Sequence, residues 1–289
     1  MIRGVSLVQP TSAEEALRVR ADLAAQGRPI AGGTDVLIEL RRRRASGVTL
    51  IDLTRIQDWR DIRVEDGNVV IGALCTHEQI ARHPLVRTHA TALAEACSEV
   101  GSLQIRNRGT IGGNVANASP CADGLTALVA LDARAEVASV RGVRRALVSD
   151  LVERPYRTTL QPDELIVAFQ VPVQREGRSA FVKLGRRDAL AIARINAGCV
   201  LEVAEDRIVR CLLAVGSVMP RTQRVVEAEQ ALEGAPATEE AAYEAGSIVA
   251  ERMVAVSGVR WSTPYKEPAV RAVVARVLLR AMGKWHDLV

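Results

Sequence analysis

Residues 109–124 read GTIGGNVANASPCADG, a stretch with two adjacent glycines, several small or hydroxylated neighbours and one acid. Small side chains from 112 to 119 leave a backbone that something flat and extended can approach closely. Thr110 and Asn114 add a hydroxyl and an amide on either side of Ile111-Gly112-Gly113. Ser119-Pro120 reads as the N-cap and first residue of a helix over 120–132. Asp123 then falls in that helix's first turn, where an acid complements the helix dipole and can also accept hydrogen bonds from ribose hydroxyls. A second glycine pair lies in IAGGTDVL, residues 30–37, between a strand-like and a helix-like segment. Free amides at such a helix start attract anions, and Thr34 and Asp35 can cap the helix. Two anion-cradling loops about 80 residues apart suit a ligand with a diphosphate. The sequence has neither a Walker loop nor any G-x-G, so a dinucleotide bound here uses another architecture.

The bulk numbers exclude several classes. A chain of 289 residues predicts two or three lobes rather than one. Hydrophobic residues make up 48% but aromatics only 3%, so Val, Leu, Ile and Ala must fill the core. A net charge of +4 is too weak to indicate nucleic acid, and the one dense run, Arg41–Arg44, reads as a solvated helix end. Cysteines 75, 97, 121, 199 and 211 form no C-x-x-C and suit a reduced, cytoplasmic chain. The N-terminus lacks a signal-peptide core, and no apolar run is long enough to span a bilayer. The histidines (77, 83, 89 and 286) make no metal-ligand pattern; His77 follows a capping threonine and is expected at the surface, and His286 lies in a polar tail.

The periodicity predicts an α+β chain. A helix over 11–26 opens with a capping box, Ser12 with Glu15 or Thr11 with Glu14, and Gly27 ends it. Strand-like 28–32, helical 34–44 and strand-like 48–53 complete a first lobe, assigned to 1–55. The second lobe, 56–174, opens with a hairpin over 62–73 around Asp66-Gly67. Helices over 76–84 and 86–100 follow, then the glycine-rich stretch, and strands over 134–140, 144–150 and 164–172. Punctuation near 172–177 marks a third lobe, 175–289, with strands at 179–185, 194–203 and 207–216 and helices at 222–233, 238–256 and 267–282.

AGGTDVL (31–37) together with IRNRGTIGGNVANASPCADG (105–124) resembles the FAD-binding subunit of molybdenum hydroxylases, the family of xanthine dehydrogenase, carbon monoxide dehydrogenase and 4-hydroxybenzoyl-CoA reductase. LQPDELIVAFQVP (160–172) and FVKLGRRDALAIARINAG (181–198) extend the resemblance over nearly the whole chain. It implies a two-subdomain FAD-binding fold of the PCMH type, like that of vanillyl-alcohol oxidase, followed by a C-terminal α+β domain with a three-stranded sheet plus helices. It also implies that Ala31, Gly32, Gly33, Thr34 and Asp35 hold the FAD diphosphate from one side and Thr110, Gly113 and Asn114 from the other, with Ile30, Val36 and Gly112 also in the cofactor-binding set. Ala118, Ser119 and Asp123 match positions along the adenosine half, Ile166 joins the cofactor-binding set, and Lys183 matches a lysine near the flavin ring, where a cation stabilises the reduced anion. Some reductase relatives carry a cysteine-rich insertion for a four-iron cluster; Cys121 stands alone in that neighbourhood, so no metal is expected and Cys121 reads as a small packing residue.

The resemblance further implies that the flavin carries the chemistry and that no side chain of this chain is a general acid or base. The expected partners are a small subunit with [2Fe–2S] clusters and a large molybdopterin subunit, assembled as a dimer of heterotrimers. Electrons from the clusters would pass through FAD to NAD⁺, oxygen or a quinone. The alternatives are a self-contained flavin reductase of the MurB type, a binding or assembly module without flavin, and a nucleic-acid contact at Arg41–Arg44.

Overall fold

The first strand along the chain carries no alternating pattern: β1 (Ser6–Val8) is three residues long and mostly exposed at a sheet edge. It precedes α1 (Ala13–Leu23), β2 (Gly27–Ile30), α2 (Val36–Arg43) and β3 (Thr49–Asp52), and the strands make a parallel sheet in the order β1-β3-β2. The Ser12 side chain caps α1 at the Glu15 amide. The Glu15 carboxylate turns back to the Thr11 amide at 2.7 Å, one residue further out than a capping box requires. The computed structural model describes residues 4–43, 47–174, 178–187 and 189–285; Arg44, His286 and the 175–177 stretch of the expected lobe boundary lie outside the described residues.

The second sheet begins with the anticipated hairpin, β4 (Ile62–Glu65) and β5 (Asn68–Gly72). Asp66 and Gly67 both adopt positive φ, +48° and +74°, as a two-residue hairpin turn demands. A run of short helices follows: α3 (His77–Arg82), α4 (Pro84–His89), α5 (Thr91–Ser98), α6 (Leu103–Arg106), α7 (Ile111–Asn117) and α8 (Asp123–Ala130). Then come β6 (Arg134–Ser139), β7 (Gly142–Leu147), the small ribbon β8 (Val152–Arg154) and β9 (Arg157–Thr158), and β10 (Leu165–Pro172). The antiparallel sheet order is β4-β5-β10-β6-β7. The helix expected over 86–100 is broken at Ala90, whose backbone leaves the helical region. The break is supported from outside the helices: the His89 carbonyl accepts from the Gln174 amide, and the Ala92 amide donates to the Ser179 hydroxyl.

The C-terminal part contains β11 (Arg178–Leu184), β12 (Ile195–Ala204), β13 (Arg207–Gly216) and β14 (Gln223–Arg224), antiparallel in that order, with α9 (Val226–Leu232), α10 (Glu239–Ser257) and α11 (Thr263–Met282). The expected three-stranded sheet thus gains a fourth strand. Two residues are too few to show a period, and β14 is fastened by Arg224, which pairs with Glu229 and Asp132.

Both faces of this last sheet are buried, so its strands read as nearly continuous apolar runs. Val182, Ala197, Cys199, Leu213 and Val215 pack with α10 and α11. Phe181, Val200, Leu212 and Ala214 face the other way and join the core of the second lobe with Leu93, Leu125 and Leu128. Helix α8 is therefore a shared element. It approaches closely because the strands are bare beneath it: a methyl at Gly198 would press on Ala130 and Ala127, and one at Gly216 would overlap the Asn196 and Thr126 side chains. Gly216→Ala should accordingly destabilise the fold by about 1–3 kcal/mol, the scale of overpacking, measured as a lower urea midpoint at unchanged slope.

Candidate functional site

The 31–35 loop leaves β2 and enters α2 through Gly33, whose φ of +73° lies in the left-handed region. The amides of Gly33, Thr34 and Asp35 have no acceptor among the described residues, so the start of α2 presents free donors. Gly32 faces the second loop directly: a methyl there would overlap the carbonyl oxygen of Arg108. Gly109 lies beside the Thr34 hydroxyl, with 3.6 Å between that oxygen and the place a methyl would take. Two segments far apart in sequence thus touch, and the contact requires a glycine.

Around this contact is a cleft of about 270 Å³, smaller than the roughly 300–1,000 Å³ that encloses a whole drug-sized ligand. It therefore suits the middle of an extended ligand. Ile30, Ala31, Gly32, Gly33 and Thr110 line it, joined by Asp52, Thr54, Arg60, Asn107 and Arg108. Arg60 donates from Nη2 to the Thr54 carbonyl at 2.7 Å, while its buried Nε has no partner among the described residues. Arg60 carried no motif in the sequence; Arg108 lies inside the quoted IRNRG segment, where its basic character was the available signal.

The second loop is more structured than its composition suggests. Residues 111–117 form α7 instead of an open loop. Thr110 is its N-cap, accepting from the Gly113 amide at 3.1 Å, and the Ile111 and Gly112 amides donate to the carbonyls of Cys75 and Ala73. Those three donors are consumed within the protein. Gly112 is bare because it packs on Ala73, whose oxygen would lie 2.7 Å from an added methyl. Gly113 is different: it is exposed, and only Thr110 Oγ1 lies near its open side.

The start of α8 also differs from expectation. The helix begins at Asp123 with Ala122 as N-cap. Ser119 instead accepts from the Cys121 amide in a local turn, and the Leu125 amide is served by Asn114 Oδ1 at 3.0 Å. Ala118 is buried in a left-handed conformation and accepts from the Tyr156 amide. Ile166 is a core residue of β10, Thr34 and Val36 are half-buried at the start of α2, and Asp35 is exposed there. Cys121 is half-buried and free.

Asp123 is 5% exposed, and its partners are within the chain. Oδ2 lies 2.6 Å from Lys183 Nζ, and Oδ1 accepts from Asn196 Nδ2 at 2.8 Å. Lys183 also donates to the Glu99 carbonyl, and Thr126 donates to Asn196 Oδ1. Burial pushes the Asp123 carboxyl above its usual range, against the opposing pull of Lys183 and Asn196. This network joins α8 to β11 and β12, away from the cleft lining.

His77 is a correction: it is 2% exposed, not at the surface. Thr76 does cap α3, with Gln79 completing the box, but the next side chain turns inward because Gly109 and Gly124 leave room for the ring. Its Nδ1 lies 3.4 Å from Cys97 Sγ, and its backbone amide donates to the Gly109 carbonyl. Burial, aided by the Arg106 cation, pushes the imidazole down to about 4.

With this geometry in place, the FAD binding domain found in molybdopterin dehydrogenases matches residues 3–174, and the C-terminal domain of the CO dehydrogenase flavoprotein matches residues 179–281. The chain belongs to this family of FAD-binding subunits of molybdenum hydroxylases: it is an oxidoreductase subunit and its cofactor is FAD. It is 35% identical over 257 residues to the nicotinate dehydrogenase FAD-subunit of Eubacterium barkeri, covering 86% of each chain. It is 31% identical over 252 residues to the nicotine 6-hydroxylase medium subunit of Paenarthrobacter nicotinovorans, covering 87% of this chain and 88% of that one. The carbon monoxide dehydrogenase of Hydrogenophaga pseudoflava superposes with a TM-score of 0.92 at 27% identity, over 99% of this chain and 100% of that one. No helix among the described residues is long and apolar enough to cross a membrane.

The His77 environment sets a pH dependence. The unfolded chain takes up a proton at His77 below pH 6.5, its ordinary value, whereas the folded chain resists until about pH 4. Stability from this group is complete above pH 6.5 and falls as pH drops through that window, by up to about 3 kcal/mol. His77→Gln should flatten that part of the curve in urea unfolding measured between pH 7 and pH 4.5.

Proposed function

We propose that this chain is the electron-transfer subunit of a three-part molybdenum hydroxylase of the PCMH-type fold, with divisions at 1–55, 56–174 and 175–289. It receives electrons from a small [2Fe–2S] subunit, beside a large molybdopterin subunit that selects the substrate, and passes them to NAD⁺, oxygen or a quinone. The assembly is a cytoplasmic dimer of heterotrimers. The observation that carries the reading is the touching pair of loops, in which Gly32 lies against the Arg108 carbonyl and Gly33, whose amide has no acceptor among the described residues, lines the cleft beside them.

FAD, when bound, supplies the exchange between one-electron donors and a two-electron acceptor. The residues of the chain do the rest. The amides of Gly33, Thr34 and Asp35 and the cations of Arg60 and Arg108 hold the diphosphate in the cleft. Thr110 and Gly113 bound it from the other side, Gly113 through its bare outer face. Ile30 lines that cradle and Val36 opens the helix beside it, while Gly112, Asn114, Ala118, Ser119 and Ile166 support the neighbouring backbone and core. Asp123 acts toward the ribose through the network it anchors, and Lys183, held by Asp123 and Glu99, keeps a cation near the flavin ring. The self-contained reductase reading is disfavoured because the chain covers 86% or more of relatives that are themselves named as subunits.

Gly113→Val tests the placement of the diphosphate. Only Thr110 Oγ1, at 3.1 Å, lies near an added methyl, so the variant should fold with at most about 1–2 kcal/mol lost with the cap and should purify with little or no flavin. Full flavin occupancy by visible absorbance would remove the diphosphate from this loop. In the wild-type complex, reducing the iron–sulfur subunit should bleach the flavin band; an unchanged band would refute the electron-transfer role.

A further inference from the structure

His77 lies behind the cleft lining rather than in it, yet backbone contacts tie its neighbourhood to the second glycine loop. Its amide donates to the Gly109 carbonyl at 3.0 Å, and Thr76 and Thr110 face each other as an isolated antiparallel bridge. The Ile111 and Gly112 amides continue the pairing, donating to the carbonyls of Cys75 and Ala73. The ring occupies a slot between that loop and α8. A methyl added at Gly109 would lie 3.2 Å from ring carbon Cδ2, and one at Gly124 would lie 3.5 Å from Cε1. Cys97 Sγ closes a third side, 3.4 Å from Nδ1. The Gly109 position is also 3.6 Å from Thr34 Oγ1, and a methyl on Gly32 would lie 2.9 Å from the Gly109 amide nitrogen. His77 therefore stands behind the contact between the two loops: what shifts Gly109 shifts Arg108 away from Gly32.

The slot suits a neutral ring only. From α6, Arg106 presents a cation to it. From α5, Cys97 presents a thiol whose titration burial pushes up, so it offers no anion. The α5 acids are engaged elsewhere, Glu95 with Arg280 and Glu99 near Lys183. On α8, Asp123 is held by Lys183 and Asn196. On α3 itself, Glu78 is held by Arg82 and Arg106. Around α4, His83, Arg87 and His89 form no hydrogen bond with the ring among the described residues, and no carboxylate there pairs with it. A second positive charge in this slot would be buried beside a cation and without a counter-ion, which is strongly unfavourable.

We infer, resting on the diphosphate placement proposed above, that His77 is a positioning residue for FAD, and that its protonation opens the second loop and speeds release of the cofactor. A protonated ring leaves the slot. Its departure removes the support behind Gly109, the contact of Arg108 with Gly32 loosens, and the diphosphate is held from one side alone. Outside the slot His77 titrates near its ordinary value of 6.5, whereas inside it resists until about 4. Between those two values, each unit of falling pH favours the open arrangement by up to about tenfold. Above 6.5 the ring is neutral in both arrangements and pH has no hold on the loop through this group.

The test follows FAD release from the flavin-loaded holoenzyme by the rise in flavin fluorescence, from neutral pH down through this window, for wild type, His77→Gln and His77→Ala. Circular dichroism records unfolding under the same conditions. Wild type should release FAD up to about tenfold faster for each pH unit below 6.5, ahead of any unfolding signal. His77→Gln, which fills the slot without titrating, should lose that dependence. His77→Ala, which empties the slot, should release FAD several-fold faster than His77→Gln at neutral pH. The same acid acceleration in His77→Gln would overturn the role given to His77, as would release that only tracks unfolding, the mark of a purely structural residue. Should His77→Ala not fold, the wild-type and His77→Gln profiles decide. Failure of the diphosphate placement shows separately, as full flavin occupancy in Gly113→Val.

Discussion

A single missing methyl group, at Gly32, allows the start of α2 to lie against the Arg108 carbonyl. Every other property of the cleft depends on that approach. It sets Gly33 of one loop and Thr110 of the other in the lining of one cleft, together with Arg60 and Arg108. Burying His77 directly beneath the second loop reinforces the arrangement, since the ring fills the space beside Gly109 and Gly124 and the His77 amide holds the Gly109 carbonyl. The joint is made by backbone and a threonine hydroxyl rather than by charged groups, and the cations of Arg60 and Arg108 line the cleft beside it.

Behind the cleft lies a different kind of constraint. Asp123 and Lys183 are a buried ion pair, and such pairs gain little net stability because desolvation offsets attraction. What the pair supplies is registry. Asn196 and Thr126 complete its hydrogen bonding, and Gly216 is bare so that they fit. Helix α8 is thereby locked to β11 and β12 in one orientation, which fixes the loop before it relative to the C-terminal sheet.

Much of this was legible in the sequence, and the limits have physical causes. Asp66-Gly67 demanded positive φ at both positions, and the hairpin formed there. Long helices such as α10 and α11 followed their apolar period. The glycine pairs pointed to a place where backbone must come close, but composition alone could not say which glycine faces a ligand and which faces Ala73. His77 was misjudged because a capping threonine predicts where a helix starts, not which way its first side chain turns; that depended on Gly109 and Gly124, 32 and 47 residues away. Ser119 looked like a cap by local pattern, yet it is Asn114 of the preceding helix that accepts from an α8 amide, that of Leu125. The single run over 86–100 hid a break at Ala90 because both halves bury the same face, with Val86, Leu93 and Cys97 inward. Arg60 could not be placed in the cleft from sequence because no motif surrounds it, and Arg108, though inside the quoted segment, reads like any other arginine until the fold brings it against Gly32.

The sharing of α8 has a consequence for how such proteins can be recombined. The two family matches meet between residues 174 and 179, which looks like a natural place to splice halves from different relatives. The physical seam runs elsewhere, between α5 and α8 on one side and the inner face of the C-terminal sheet on the other. A chimera joined at the sequence boundary would set one parent's Thr126 and Ala130 against the other parent's strands, and would pack only if the graft carried the bare positions corresponding to Gly198 and Gly216 along with it.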